Sequence, residues 1–173
     1  MTPKIYEYAK IVNRENFSID IFSQIDDFVF INGGARTELG KFVHVASFCS
    51  VIGGGEFYME DFSGLSAGCR IVTGSDDFTG GGLTNPTVPA AYSNVSKSFV
   101  RIKRHAIIGT NVTILPGVTI GEGAAVSAGC IVRKDLEPWT IYGGQECRRI
   151  KSRPSDLILQ LEKKLLTEKG LLC

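Results

Sequence analysis

Branched apolar residues recur along this chain every six positions. Ile102, Ile108, Ile114, Ile120, Val126 and Val132 follow one another without a break, and two places before each stands a second small or branched residue: Val100, Ala106, Val112, Val118, Ala124 and Cys130. Alternation of period two inside a unit of six describes a short strand with both apolar positions on one face, followed by a turn. Gly109, Gly117, Gly121, Gly123 and Gly129 supply permissive backbone for those turns. Three units close one triangular coil, so the run predicts an all-β solenoid whose stacked coils share one core.

The same ladder occurs earlier in another phase, through Leu39, Val45 and Val51 and then Met59, Leu65 and Ile71, with a two-residue excess around Gly53 to Gly55 explaining the slip. Cys49, Cys69 and Cys130 fall on the inward partner position, which predicts packing rather than redox chemistry. Between Ile71 and Ile102 the text GSDDFTGGGLTNPTVPAAYSNVSKSF carries no repeat, which predicts a loop extruded over residues 73–99. Loops beyond about 15 residues in a compact domain are functional or disordered, and the acids, amides and prolines here favour function. After the solenoid, Arg153 and Pro154 close the last coil, and Ser155 is placed to cap a helix with Leu157, Leu161 and Leu165 on one stripe up to Gly170. The segment before about residue 30 has no clear period and is expected to cap the open coil. The expected organisation is an N-terminal cap over 1–30, the solenoid over 31–153 and a C-terminal helix over 154–173.

Composition narrows the function classes. The 173 residues suit one domain plus an appendage, and 20 glycines without low complexity fit many repeated turns. Lysine plus arginine number 19 against 18 acids, so no net field recruits nucleic acid or an anionic membrane. The N-terminal text MTPKIYEYAK lacks an apolar signal core, and no run approaches the roughly 18 apolar residues of a membrane span, so a cytoplasmic location without membrane insertion is expected. Five cysteines without paired spacing argue against a disulfide framework. Two histidines leave a three-histidine zinc site possible only across subunits, so no metal is expected.

The run RHAIIGTNVTILPGVTIGEGAAVSAGCIVRKDLEPWTIYGGQECRRIKSR resembles the hexapeptide-repeat acyltransferases, most closely the galactoside and O-antigen sugar acetyltransferases. The likeness covers most of residues 30 to 153. It implies a left-handed parallel β-helix, a homotrimer with sites between neighbouring solenoids, acetyl-CoA as acyl donor and a sugar or nucleotide-sugar acceptor, as in polysaccharide biosynthesis. By the same resemblance Thr110 and Ala128 match positions that meet the pantetheine arm, while Arg133, Lys134, Arg148 and Lys151 match positions near the nucleotide end, where cations favour phosphate. The chain also departs from that pattern. The family's histidine base at the start of the loop is replaced in Thr73-Gly74-Ser75-Asp76-Asp77, the sugar-holding positions align with Asn32, Ala46 and Gly54, and Gln145-Glu146-Cys147 replaces the familiar VPA before the basic tail.

Acyl transfer from a thioester needs a nucleophile, a base for its proton and a donor to the oxyanion. The candidate bases are Asp76, Asp77 and His105, ranked above His44; an aspartate could act itself or orient His105 across a subunit boundary. Either carboxylate could equally form an Asx turn. Asn32, Asn85 and Asn94 are candidate sugar-binding residues, with Pro86 and Pro89 stiffening their loop. The leading expectation is O-acetylation of a sugar hydroxyl. Its alternative is N-acetylation of an amino sugar, whose free amine makes a strong base less necessary, and a purely structural solenoid is the remaining class.

Overall fold

The six-residue period becomes three parallel sheets wound around one core, seen in a computed structural model that describes residues 2–172. Strands Lys4–Ile5, Gln24–Ile25, His44–Val45, Gly64–Leu65, Ile107–Ile108, Ala125–Val126 and Thr140–Gly143 stack as the first face. The second face runs from Lys10–Val12 up to Ile131–Val132, and the third from Phe17–Ile19 up to Val118–Ile120. Each predicted inward residue is inward: Ile102, Ile108, Ile114 and Ile120 are all 0% exposed, and Cys49, Cys69 and Cys130 are buried in the same core. Parallel strands buried on one face and joined through tight corners need this continuous apolar file, because no single coil covers its own core.

Coil length changes partway up. Gln24 pairs with His44 and His44 with Gly64, a coil of 20 residues, whereas Ile107 pairs with Ala125, a coil of 18. The longer coils carry two extra residues at the corner between the second and third faces, where Gly33, Gly53 and Gly55 approach the neighbouring coil's backbone so closely that an added Cβ would meet it within 2.3 Å. This longer repeat corrects the expectation of a separate N-terminal cap over residues 1–30. Lys4–Ile5, Lys10–Val12 and Phe17–Ile19 are already solenoid strands, registered on the next coil. Ile5, Ile11, Ile19, Ile25 and Ile31 keep the inward file in steps of six and eight, which a search for sixes alone does not see.

The chain leaves the coil after Val72 and rejoins it at Phe99. The extruded segment is an ordered arm: Gly74–Ser75 pairs antiparallel with Ser96–Lys97, and Leu83 bridges to Ser93 further out. At the other end, strand Arg148–Ser152 turns back antiparallel on Thr140–Gly143 and leads into helix α1, Asp156–Glu168. Ser155 precedes the helix without a capping bond from its side chain. Leu157 and Leu161 of the expected stripe are both exposed, and the helix lies on the solenoid through Ile158, Glu162 and Leu165 instead. Glu162 sets that rotation, as its contacts below show. Among the described residues no helix is long and apolar enough to cross a membrane.

Candidate active site

The corner between the third and first faces carries a ladder of rings. Phe22, Phe42, Phe62 and His105 stack with centroids 4.7, 4.7 and 5.2 Å apart, and Trp139 tilts onto His105 at 6.0 Å. Phe22, Phe42, Phe62 and His105 all sit in the left-handed backbone region, at φ between 56° and 64°. Such a conformation costs of order 1–3 kcal/mol for a non-glycine residue, and here stacking against the rings above and below and packing under α1 offset it. Trp139 fills the rung left empty by Gly123, where an added Cβ would lie 2.3 Å from the indole.

His105 is therefore embedded. Its side chain is 5% exposed, and Nε2 lies 2.9 Å from Glu162 Oε2 on α1. Glu162 also meets the Arg104 guanidinium, while Arg153 donates to the carbonyls of His105 and Gly123 at 3.0 and 2.9 Å. Burial, and then the Arg104 and Arg153 charges, push the imidazole below its ordinary value, with Asp61 opposing. A neutral ring donating to Glu162 has no free path to a substrate. The ladder corner also stands opposite the second face, so within one chain His105 is remote from the arm that carries Asp76 and Asp77.

The arm brings Asp76, Asp77, Asn85 and Asn94 together. Asp77 accepts from Thr79 N at 2.7 Å, Thr79 Oγ1 at 2.5 Å, Gly81 N at 2.8 Å and Asn94 Nδ2 at 3.2 Å. Hydrogen bonds to the charged form, led by Thr79, hold its carboxyl down at about 2. Asp76 Oδ2 accepts one longer bond, from Asn85 N at 3.3 Å. A folded-state value below the unfolded one contributes stability that is present above about pH 4 and lost as pH falls through about 2. Protection of the Thr79 and Gly81 amides against hydrogen exchange is therefore expected to persist at pH 4 and to fade toward pH 2; loss of protection already near pH 5 would contradict this.

The amides expected to read a sugar are each half committed. Asn32 Oδ1 accepts from Asn13 Nδ2 at 2.7 Å and Gly34 N at 3.0 Å, Asn85 Oδ1 accepts from Thr87 N at 3.0 Å, and Asn94 Nδ2 is spent on Asp77. Each side chain is fixed by one end, leaving the other end oriented.

Thr110 and Ala128 are exposed on successive coils at the corner between the first and second faces, where Gly129 N donates to Thr110 O at 2.9 Å. Gly109 keeps that corner flat, since an added Cβ would lie 2.6 Å from Ala128 N. Across the second face, Arg133 and Lys134 line a hollow of about 540 Å³ with Gln145, Glu146 and Cys147. Arg148 is tied to Glu146, its Nε 3.0 Å from Oε2, and Lys151 is exposed on the returning strand. A larger hollow of about 760 Å³ lies on the third face around Glu38, Tyr58 and Arg101, and none of these candidate residues lines it.

The corner file, the basic end and the ordered arm together mark a left-handed β-helix built on transferase hexads: residues 99–134 match the model for bacterial transferase hexapeptide repeats. The dTDP-4-amino-4,6-dideoxy-D-glucose acyltransferase of Escherichia coli is 34% identical over 92% of this chain and 83% of its own length. The chain belongs to the hexapeptide-repeat acyltransferase family. A crystal structure of AntD, an N-acyltransferase from Bacillus cereus, with one aspartate replaced by asparagine and in complex with dTDP and coenzyme A, superposes with a TM-score of 0.88 at 35% identity, covering 96% of this chain and 91% of that one. AntD has also been solved with substitutions at one serine and at an aspartate ten positions further along. A maltose O-acetyltransferase from Clostridium difficile, with a TM-score of 0.68 at 24% identity over 82% of this chain and 72% of its own, shares the fold.

Proposed function

We propose that this acyltransferase moves an acyl group from acyl-CoA to the amine of a nucleotide-linked amino sugar of the dTDP-4-amino-4,6-dideoxyglucose kind, ahead of the O-acetylation expected first. The observation that carries the reading is the arm: it begins without a histidine and offers Asp76, a carboxylate with acceptor capacity left. Ser66 and Asp76 are the only serine and aspartate of this chain spaced ten apart, the spacing of the two substituted positions in AntD. Ser66 lies at the corner below Thr110, and Asp76 lies where the arm leaves the coil at the other edge of the second face. Donor and acceptor groups so divided fit a homotrimer in which the arm of one chain covers the Thr110 and Ala128 corner of its neighbour.

The chemistry follows from the nucleophile. The amine nitrogen bonds to the thioester carbonyl carbon, the carbon–sulfur bond breaks, and coenzyme A leaves as its thiol. As the nitrogen bonds, its N–H becomes strongly acidic, so a carboxylate is basic enough to take the proton, whereas an attacking hydroxyl gains from an imidazole. Asp76 takes that proton. Arg133, Lys134 and Lys151 attract the donor's phosphates, and Arg148, shared with Glu146, contributes less.

Lys151→Ala is expected to raise the KM for acetyl-CoA several-fold with kcat nearly unchanged, and Arg148→Ala to do so more weakly, because uniform binding is lost rather than transition-state binding. Steady-state kinetics with varied acetyl-CoA measure both; an unchanged KM in Lys151→Ala rejects the phosphate role. The functional reading itself is tested by following thiol release from acetyl-CoA with matched dTDP-linked amino and hydroxy sugars, with mass spectrometry on the products. An amide product only from the amino sugar supports it, and an ester from the hydroxy sugar restores O-acetylation.

A further inference from the structure

The two adjacent aspartates at the base of the arm are used in opposite ways. Asp77 fills both carboxylate oxygens: three bonds close a turn over Thr79 and Gly81 on the outgoing side, and the fourth crosses to Asn94 on the returning side. Gly81 is fitted to that turn, since an added Cβ would lie 2.3 Å from Asp77 Oδ2 and 3.3 Å from Asn94 Nδ2. Little else shapes this part of the arm. Phe78 is 93% exposed, Leu83 and Tyr92 are exposed too, and the strand pairing amounts to Gly74–Ser75 against Ser96–Lys97 with one bridge beyond. Within one chain, a segment with so little buried apolar surface takes its shape from its polar bonds.

We infer that Asp77 is a positioning residue, the staple across the arm that fixes the backbone from which Asp76 meets the acceptor amine. This rests on the proposed reaction, with Asp76 as base. Asp76 precedes the stapled turn directly, and its one bond, from Asn85 N, comes from the far side of the same turn. Loosening the staple frees both ends of that arrangement. A displacement of about 1 Å at a reacting group is enough to cost on the order of 100-fold in rate.

Asp77→Asn tests the staple. Whichever way the new amide turns, its nitrogen faces a backbone N–H, of Thr79 or of Gly81, donor against donor, so the staple loses a backbone bond with almost no change of shape. Turnover of the amino sugar is expected to fall about tenfold or more, with the KM for acetyl-CoA unchanged. Hydrogen exchange at Thr79 and Gly81 is expected to quicken in Asp77→Asn and not in Asp76→Asn. The exchanged pair, Asp77→Asn with Asn94→Asp, makes the crossing bond in the reverse sense and should recover part of the lost turnover. Should Asp77→Asn fail to fold, Thr79→Val removes one donor and is read in the same way.

Turnover within about twofold of the parent, too small a difference to mark a transition-state contribution, would overturn the inference. So would full loss of turnover with arm exchange unchanged, which would make Asp77 a base in its own right. If the parent enzyme leaves the amino sugar untouched, the functional reading fails, and the exchange comparison still decides whether Asp77 holds the arm.

Discussion

Asp76→Asn should lower turnover of the amino sugar by about two to four orders of magnitude, the range general bases contribute, while leaving stability close to the parent's. The carboxylate stands on an arm outside the core and makes a single 3.3 Å bond, so little folding free energy depends on it. The amide retains the size of the side chain and the acceptor for Asn85 N, and loses the ability to take a proton. Thiol release under saturating substrates gives kcat, and urea unfolding gives stability. A variant that keeps turnover within about threefold of the parent has lost almost no transition-state stabilisation, which removes Asp76 from the chemistry.

His105→Ala should do the reverse. It takes a ring out of a continuous stack between Phe62 and Trp139 and leaves the Glu162 carboxylate short of its partner. Losses for large-to-small changes at aromatic core sites run to about 3 kcal/mol or more, and an abandoned buried acceptor adds to that. Unfolding by urea should show the loss, and kcat per folded molecule should be nearly that of the parent. His105→Phe refills the rung without the Glu162 contact and should recover part of the stability. A stable His105→Ala protein without activity would return His105 to the active site.

These opposite expectations mark what was readable in the amino acids. Hexads declare themselves because the inward positions are nearly all apolar, and small or branched enough for a triangular core, as Val100 to Val132 show. The arm was equally plain as a gap in that pattern. The N-terminal coils were hidden by their eight-residue step at Gly33 and Gly53, which breaks a strict count while leaving the inward file whole. The burial of His105 is hidden in the sequence for a physical reason: a ring in a left-handed corner looks like any exposed turn residue until the rings of adjacent coils are stacked on it. Its nearest signal was Phe22, Phe42 and Phe62, spaced twenty apart, with His105 taking the same place after the insertion. That one of Asp76 and Asp77 closes an Asx turn is legible in the sequence, but which one is not, since that depends on donors brought in from Thr79, Gly81, Asn85 and Asn94. For the same reason the half-committed amides of Asn32, Asn85 and Asn94 looked free.

A stack of coils that touch only their neighbours is a one-dimensional array, free to open from either end without disturbing its middle. Helix α1 alters that. It starts beside the last coil, where Arg153 grips the carbonyls of His105 and Gly123, and runs down the ladder until Lys169 Nζ stands 5.8 Å from the ring of Phe22 in the earliest coils. Fraying at the bottom of the stack must then break contacts made by the top, so the coils melt together, and removing the last two turns of α1 would let the array come apart one layer at a time.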